Sequence, residues 1–130
     1  MVTQGELNEL SKRVLDAAFA VHTALGPGLL EASYFACLVY ELRKRGIPVE
    51  TEVSLPVVYD GQKLLDVGYR IDILVAKELI LEIKATEGIA VVNRAQLLGY
   101  LRHSGRRLGL LLNFNVVSMK DGIVRIVNRL

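Results

Sequence analysis

The sequence is poor in the residues that build the commonest metal and thiol centres. It has one cysteine, Cys37, and two histidines, His22 and His103. A lone cysteine excludes an internal disulfide and fits a reducing compartment. Cys37 falls within an apolar helical pattern, which suits a buried inert thiol. The scattered histidines cannot supply a zinc cluster even with its help. Excess charge is scarce too: the net charge is only +2, so any basic surface must be local. No run approaches the ~20 apolar residues of a membrane span. The N-terminus lacks a basic segment followed by an apolar core, the mark of a signal peptide. Repeats, linkers and low-complexity segments are missing. These absences predict a soluble, cytoplasmic protein with no membrane partner. Length predicts a single domain over residues 1–130, in which ~70% of the unfolded surface can be buried.

What is there reads as alternating helices and strands. Thr3-Gln4-Gly5-Glu6 matches a capping box, and Leu7, Leu10, Val14, Val21 and Leu25 recur at helical spacing. Gly26-Pro27-Gly28 breaks that helix, and a second is expected over about residues 29–45, ended by Gly46 and Pro48. From Val49 the period switches to two. Pro56 ends the regular pairing of this strand or puts it at an edge. Asp60-Gly61 marks a small hairpin. A third helix is expected over about residues 92–103. Residues 108–114 form an apolar run that suits a strand covered on both faces, and residues 123–127 form the last strand. The order is ααβββ(β)αββ. A helix between two strands reads as a crossover joining parallel neighbours, so the expectation is an α/β fold with a mixed sheet flanked by helices.

The most informative stretch is residues 69–84. It reads as two strands joined by a turn at Ala76, Lys77 and Glu78. Centring the turn on Lys77 places Asp72 opposite Glu82 and Arg70 opposite Lys84. Alternation puts Ile71, Ile73, Val75, Leu79, Leu81 and Ile83 on one wholly apolar face. The other face carries Arg70, Asp72, Leu74, Ile80, Glu82 and Lys84. Two carboxylates ~5 Å apart repel by roughly 3 kcal/mol at an effective dielectric of ~20, and apolar neighbours make them harder to ionise. A divalent cation between them would turn repulsion into attraction, and oxygen ligands suit Mg²⁺ or Mn²⁺. The competing reading is a solvated face on which Lys84 and Arg70 neutralise the acids.

Three further features point toward this pair. Glu31 opens the second helix, where an acid is also ordinary dipole compensation; Tyr34 lies one turn on. Gln96 and Tyr100 stack four residues apart on the third helix, although a half-exposed tyrosine on an amphipathic helix has the same look. Arg94, Arg102, Arg106 and Arg107 read as a solvated basic edge with phosphate contact as the alternative. His22 reads as a packing histidine.

The ordered set resembles the PD-(D/E)XK nuclease superfamily: a helical glutamate, Asp72, then Glu82-Ile83-Lys84, then Gln96 and Tyr100 on a helix. The glutamine-tyrosine element is similar to that of its RecB-like exonuclease branch. Gly28, Glu31 and Tyr34, together with Asn113-Phe114-Asn115, resemble the bacterial GxxExxY family of that superfamily. Ile71 stands where many members have proline. The resemblance covers nearly the whole chain and implies a restriction-endonuclease-like core. It further implies that Asp72, Glu82 and the Ile83 carbonyl bind Mg²⁺ or Mn²⁺, with Glu31 completing or supporting the site. Lys84 would orient and help deprotonate the attacking water, and Gln96 and Tyr100 would position that lysine or the substrate. The expected activity is hydrolysis of DNA or RNA phosphodiesters. A non-catalytic nucleic-acid-binding or protein-interaction module on the same fold is the alternative. A homodimer is the geometry that would let so small a unit reach both strands of a duplex.

Overall fold

A computed structural model describes residues 2–130. Helix α1 (Gln4–Leu25) starts at the expected capping box: the Thr3 hydroxyl accepts from the Glu6 N–H at 3.0 Å, and the Glu6 carboxylate accepts from the Thr3 N–H at 3.1 Å. Its buried stripe of Leu7, Val14, Ala17, Ala18 and Val21 packs beside α2 (Glu31–Lys44). Between them, Gly26 and Gly28 take φ values of 67° and 97°, a region glycine enters without the steric cost of a Cβ.

Five strands form one sheet in the order β1-β2-β3-β4-β5: β1 (Val49–Tyr59), β2 (Gln62–Val75), β3 (Leu79–Lys84), β4 (Leu108–Asn113) and β5 (Ile123–Val127). Helix α3 (Val91–Ser104) connects β3 to β4, which run parallel, while every other neighbouring pair is antiparallel. The mixed α/β architecture is the expected one, and β4 is buried at every residue. The sheet separates two apolar clusters. One joins α1 and α2 to Ile73, Val75, Leu79, Leu81, Ile83 and alternate residues of β4. The other joins Leu97, Tyr100 and Leu101 of α3 to Ile71, Leu74, Ile80 and Leu111.

The segments on either side of Pro56 are one strand. Strand β1 lies at the sheet edge, as one of the two readings of Pro56 had it, and its register shifts around Leu55 and Val57. One expectation needs correction. Ile71 does not share a face with Ile73; it packs with Leu74 and Ile80 on the α3 side. Two positions separate Ile71 from Leu74, so strict alternation is interrupted near Asp72. Opposite this point, Glu52 of β1 adopts a positive φ of 51°.

Candidate functional site

The turn between β2 and β3 is where the sequence places it. Ala76 and Lys77 both take positive φ, 50° and 61°, and the Glu78 N–H donates to the Val75 carbonyl at 2.9 Å. The turn is held from outside, since the Ala76 N–H donates to the Pro48 carbonyl at 2.8 Å and Arg106 Nε to the Lys77 carbonyl at 3.0 Å. The ladder then runs Val75–Leu79, Leu74–Ile80, Ile73–Leu81, the register that sets Asp72 across from Glu82.

At that next step the regular ladder stops and the carboxylates take over its hydrogen bonds. The Asp72 N–H donates to Glu82 Oε1 at 3.2 Å, and the Ile83 N–H donates to Asp72 Oδ2 at 2.8 Å. Side chains thus replace main-chain carbonyls as acceptors. Beyond this point β2 stays with β1, where Arg70 pairs with Ser54, and β3 stays with β4, where Lys84 pairs with Asn113. Arg70 is therefore not opposite Lys84, because the strands have parted before reaching them.

The two acids differ in environment. Glu82 is buried, at 5% exposure, whereas Asp72 is half-buried. Burial first, and the neighbouring Asp72 carboxylate second, push the Glu82 carboxyl up to about 9. At neutral pH Glu82 therefore keeps its proton. Lys84, two residues on, falls on the same strand face as Glu82 by alternation, and it makes none of the ion pairs found among the described residues.

The remaining candidates approach from two sides. Glu31 and Asp72 line one cleft of about 350 Å³ between α2 and the sheet, with Phe35, Glu52, Arg70 and Ile83. The start of α2 is fixed there by Tyr34, fully buried, whose hydroxyl donates to the Gly26 carbonyl at 2.6 Å and accepts from the Leu29 N–H at 3.1 Å. Its ring stacks on Phe114 at 4.8 Å. Tyr34 is thus the post for the Gly-Pro-Gly bend rather than a wall of the cleft. From the α3 side comes Tyr100, stacked on Tyr69 at 4.8 Å. Burial first, then the charges of Glu82 and Asp72, raise its hydroxyl to about 12, while a hydrogen bond from Gln96 works the other way. Gln96 itself is exposed. His22 is a packing residue, as expected: its Nε2 lies 2.7 Å from the Val116 carbonyl, so that nitrogen carries the proton.

One residue with a part in this geometry was not singled out by the sequence, and one named only within a motif has a clear structural task. Glu52 gave no signal beyond strand alternation, yet it faces the Glu31 cleft. Asn113, buried at 2%, donates to the Thr86 carbonyl at 3.0 Å and accepts from the N–H groups of Thr86 and Asn115, both at 3.1 Å. It ties the segment after Lys84 to the end of β4.

The donor set suits a hard cation. Asp72 and Glu82 are adjacent oxygen donors whose mutual repulsion a divalent ion would relieve, and Mg²⁺ is commonly held by one or two carboxylates with water filling the rest. Among the described residues no group of three or more His, Cys, Asp or Glu side chains has the spacing of a complete metal cage. Glu31 shares the cleft without joining such a group.

A mixed sheet with helices on both faces, and an acid-x-lysine pair on a central strand beside a second strand's aspartate, defines a restriction-endonuclease-like α/β protein. The family model of the PD-(D/E)XK nuclease superfamily matches residues 8–126. The chain belongs to that superfamily. No curated protein and no solved structure matched it. Among the described residues no helix is long and apolar enough to cross a membrane.

Proposed function

We propose that the chain hydrolyses nucleic-acid phosphodiester bonds with a divalent ion, Mg²⁺ or Mn²⁺, held by Asp72, Glu82 and the Ile83 carbonyl. The observation that carries this reading is the interlocked Asp72–Glu82 pair, seated where the β2–β3 ladder ends. Such a pair costs stability in a protein without a ligand, and family membership supplies the nucleic-acid substrate class. When bound, the ion would lower the pKa of a water and polarise the phosphate. The chain's own groups do the rest. Glu82 must give up its proton for the ion, and Lys84 orients the attacking water and stabilises charge on the phosphate. Glu31 would complete or support the ion site from the α2 cleft. Gln96 and Tyr100 position Lys84 or the substrate backbone. The short motifs at Gly28, Glu31 and Tyr34 support placement in the GxxExxY branch, and the single half-buried Cys37 fits a cytoplasmic setting. Two copies, each with one acid pair, would serve both strands of a duplex.

The experiment is a titration with Mn²⁺ paired with cleavage of single-stranded, duplex and structured DNA and RNA. Asp72→Ala is expected to abolish ion binding, and Lys84→Ala to keep binding while losing turnover by at least about 100-fold. Absence of ion binding at millimolar Mn²⁺ would remove the mechanism. Nucleic-acid binding without cleavage by the wild type would favour the non-catalytic module.

A further inference from the structure

The basic residues of α3 and the loop after it do not behave as one edge. Arg106 turns to the β2–β3 turn, where its Nε donates to the Lys77 carbonyl. Arg102 and Arg107 instead meet Arg129, more than twenty residues away in the chain, around an open pocket of about 710 Å³. Leu98, Gly105, Val127 and Asn128 complete its lining. Its lining includes three arginines and no aspartate or glutamate. All four ion pairs found among the described residues lie elsewhere, on α1, α2 and the β1–β2 hairpin.

Compensation of the helix dipole accounts for Arg102, which stands in the last turn of α3. It does not account for Arg107 and Arg129, which come from different segments. The pocket is built rather than incidental. Asn128 donates from its side chain to the Arg106 carbonyl at 3.0 Å and from its backbone to the Arg107 carbonyl at 2.8 Å. Arg107 Nη2 donates to the Val2 carbonyl, which fixes that guanidinium. Arg129 holds a left-handed φ of 57°, a conformation that costs a non-glycine residue roughly 1–2 kcal/mol.

Three arginines around one pocket supply the kind of donor that matches the oxygens of a phosphate. Leu98 and Val127 give the same open pocket an apolar wall. We propose that this pocket binds the phosphate of a nucleotide, with the base or sugar against Leu98 and Val127. It is separate from the acid pair. Leu108 and Val127 pair at the row of Leu79, three residues before Glu82, so the two lie about 10 Å apart along the strands. Leu98 and Arg102 also stand on the opposite flank of α3 from Gln96 and Tyr100, about 200° around the helix.

The test is isothermal titration in EDTA, which silences the acid pair and keeps the two readings independent. Sodium phosphate, adenosine monophosphate and a 5′-phosphorylated hexanucleotide are compared with chloride at equal ionic strength. Wild type is expected to bind phosphate above the chloride background, and one of the two nucleotide probes more tightly than phosphate. A preference for the mononucleotide identifies a free ligand, and a preference for the hexanucleotide identifies a strand end. The double variant Arg102→Ala/Arg129→Ala, at two exposed positions, is expected to weaken binding at least tenfold with an unchanged far-UV spectrum. Lys12→Ala on α1 removes one charge far from the pocket and is expected to leave affinity unchanged. Chloride matching phosphate in the wild type, or the double variant binding as tightly as wild type, would overturn the proposal.

Discussion

Glu82 concentrates the physics of the site in one side chain. Its folded value of about 9 stands well above the ordinary 4.5, so the native state keeps a proton that the unfolded chain has released. Between those two values the native state binds more protons, and stability therefore falls as pH rises. The contribution is complete below about pH 4.5 and is lost through about pH 9. In EDTA, Glu82→Gln is expected to remove this slope and to exceed wild type in stability by roughly 2–3 kcal/mol near pH 8, read by urea denaturation. The same proton must leave for an ion to bind. Apparent Mn²⁺ affinity should therefore rise about tenfold per pH unit between about pH 6 and about pH 8, and a flat profile would count against Glu82 as a ligand. At the other end of β3, Lys77 takes a φ of 61° with no glycine to ease it. Lys77→Gly is expected to raise stability by roughly 0.5–1 kcal/mol, relief of the left-handed strain outweighing the extra freedom of the unfolded chain.

Among the elements, α2 and the end of β4 carry the positioning. Tyr34 fastens the bend that starts α2, and its hydroxyl makes two hydrogen bonds to the backbone. Tyr34→Phe leaves the Gly26 carbonyl and Leu29 N–H without that partner and is expected to cost about 1–3 kcal/mol in a denaturation midpoint. If α2 exists to present Glu31, the effect of Glu31→Gln on Mn²⁺ affinity should shrink in the Tyr34→Phe background, a coupling that a double-mutant cycle reads directly. At the end of β4, Gly122 presses on Asn113: a Cβ added there would sit 1.9 Å from the Asn113 carbonyl oxygen. That contact is with backbone, which cannot swing aside, so Gly122→Ala is expected to cost at least about 2 kcal/mol.

For the molecule as a whole, local signals were legible and long-range ones were not. The Thr3 capping box, the Gly-Pro-Gly bend, the Asp60-Gly61 turn and the apolar run of β4 each declare themselves within a few residues, and all formed as read. The register that sets Asp72 against Glu82 followed from turn position alone. The break in alternation at Asp72 did not, because it depends on how β1 and β2 meet at Glu52. Pro56 left two readings open, and the edge is the one that formed, since β1 has no outer neighbour. The placing of Arg129 beside the same pocket as Arg102 and Arg107 is hidden by sequence separation, as is the Asn113 bond to Thr86. What a sequence conceals here is chiefly which distant segments end side by side.

The hydrogen bonds that close the β2–β3 ladder have a use beyond structure. The Asp72 and Ile83 amide protons end on carboxylate oxygens rather than carbonyls, so their resonances sit directly on the atoms proposed to hold the ion. In a ¹⁵N-labelled sample these two amides would act as an internal gauge, reporting protonation and cation arrival without substrate. The interior of the hairpin, whose amides face carbonyls, would supply the silent reference.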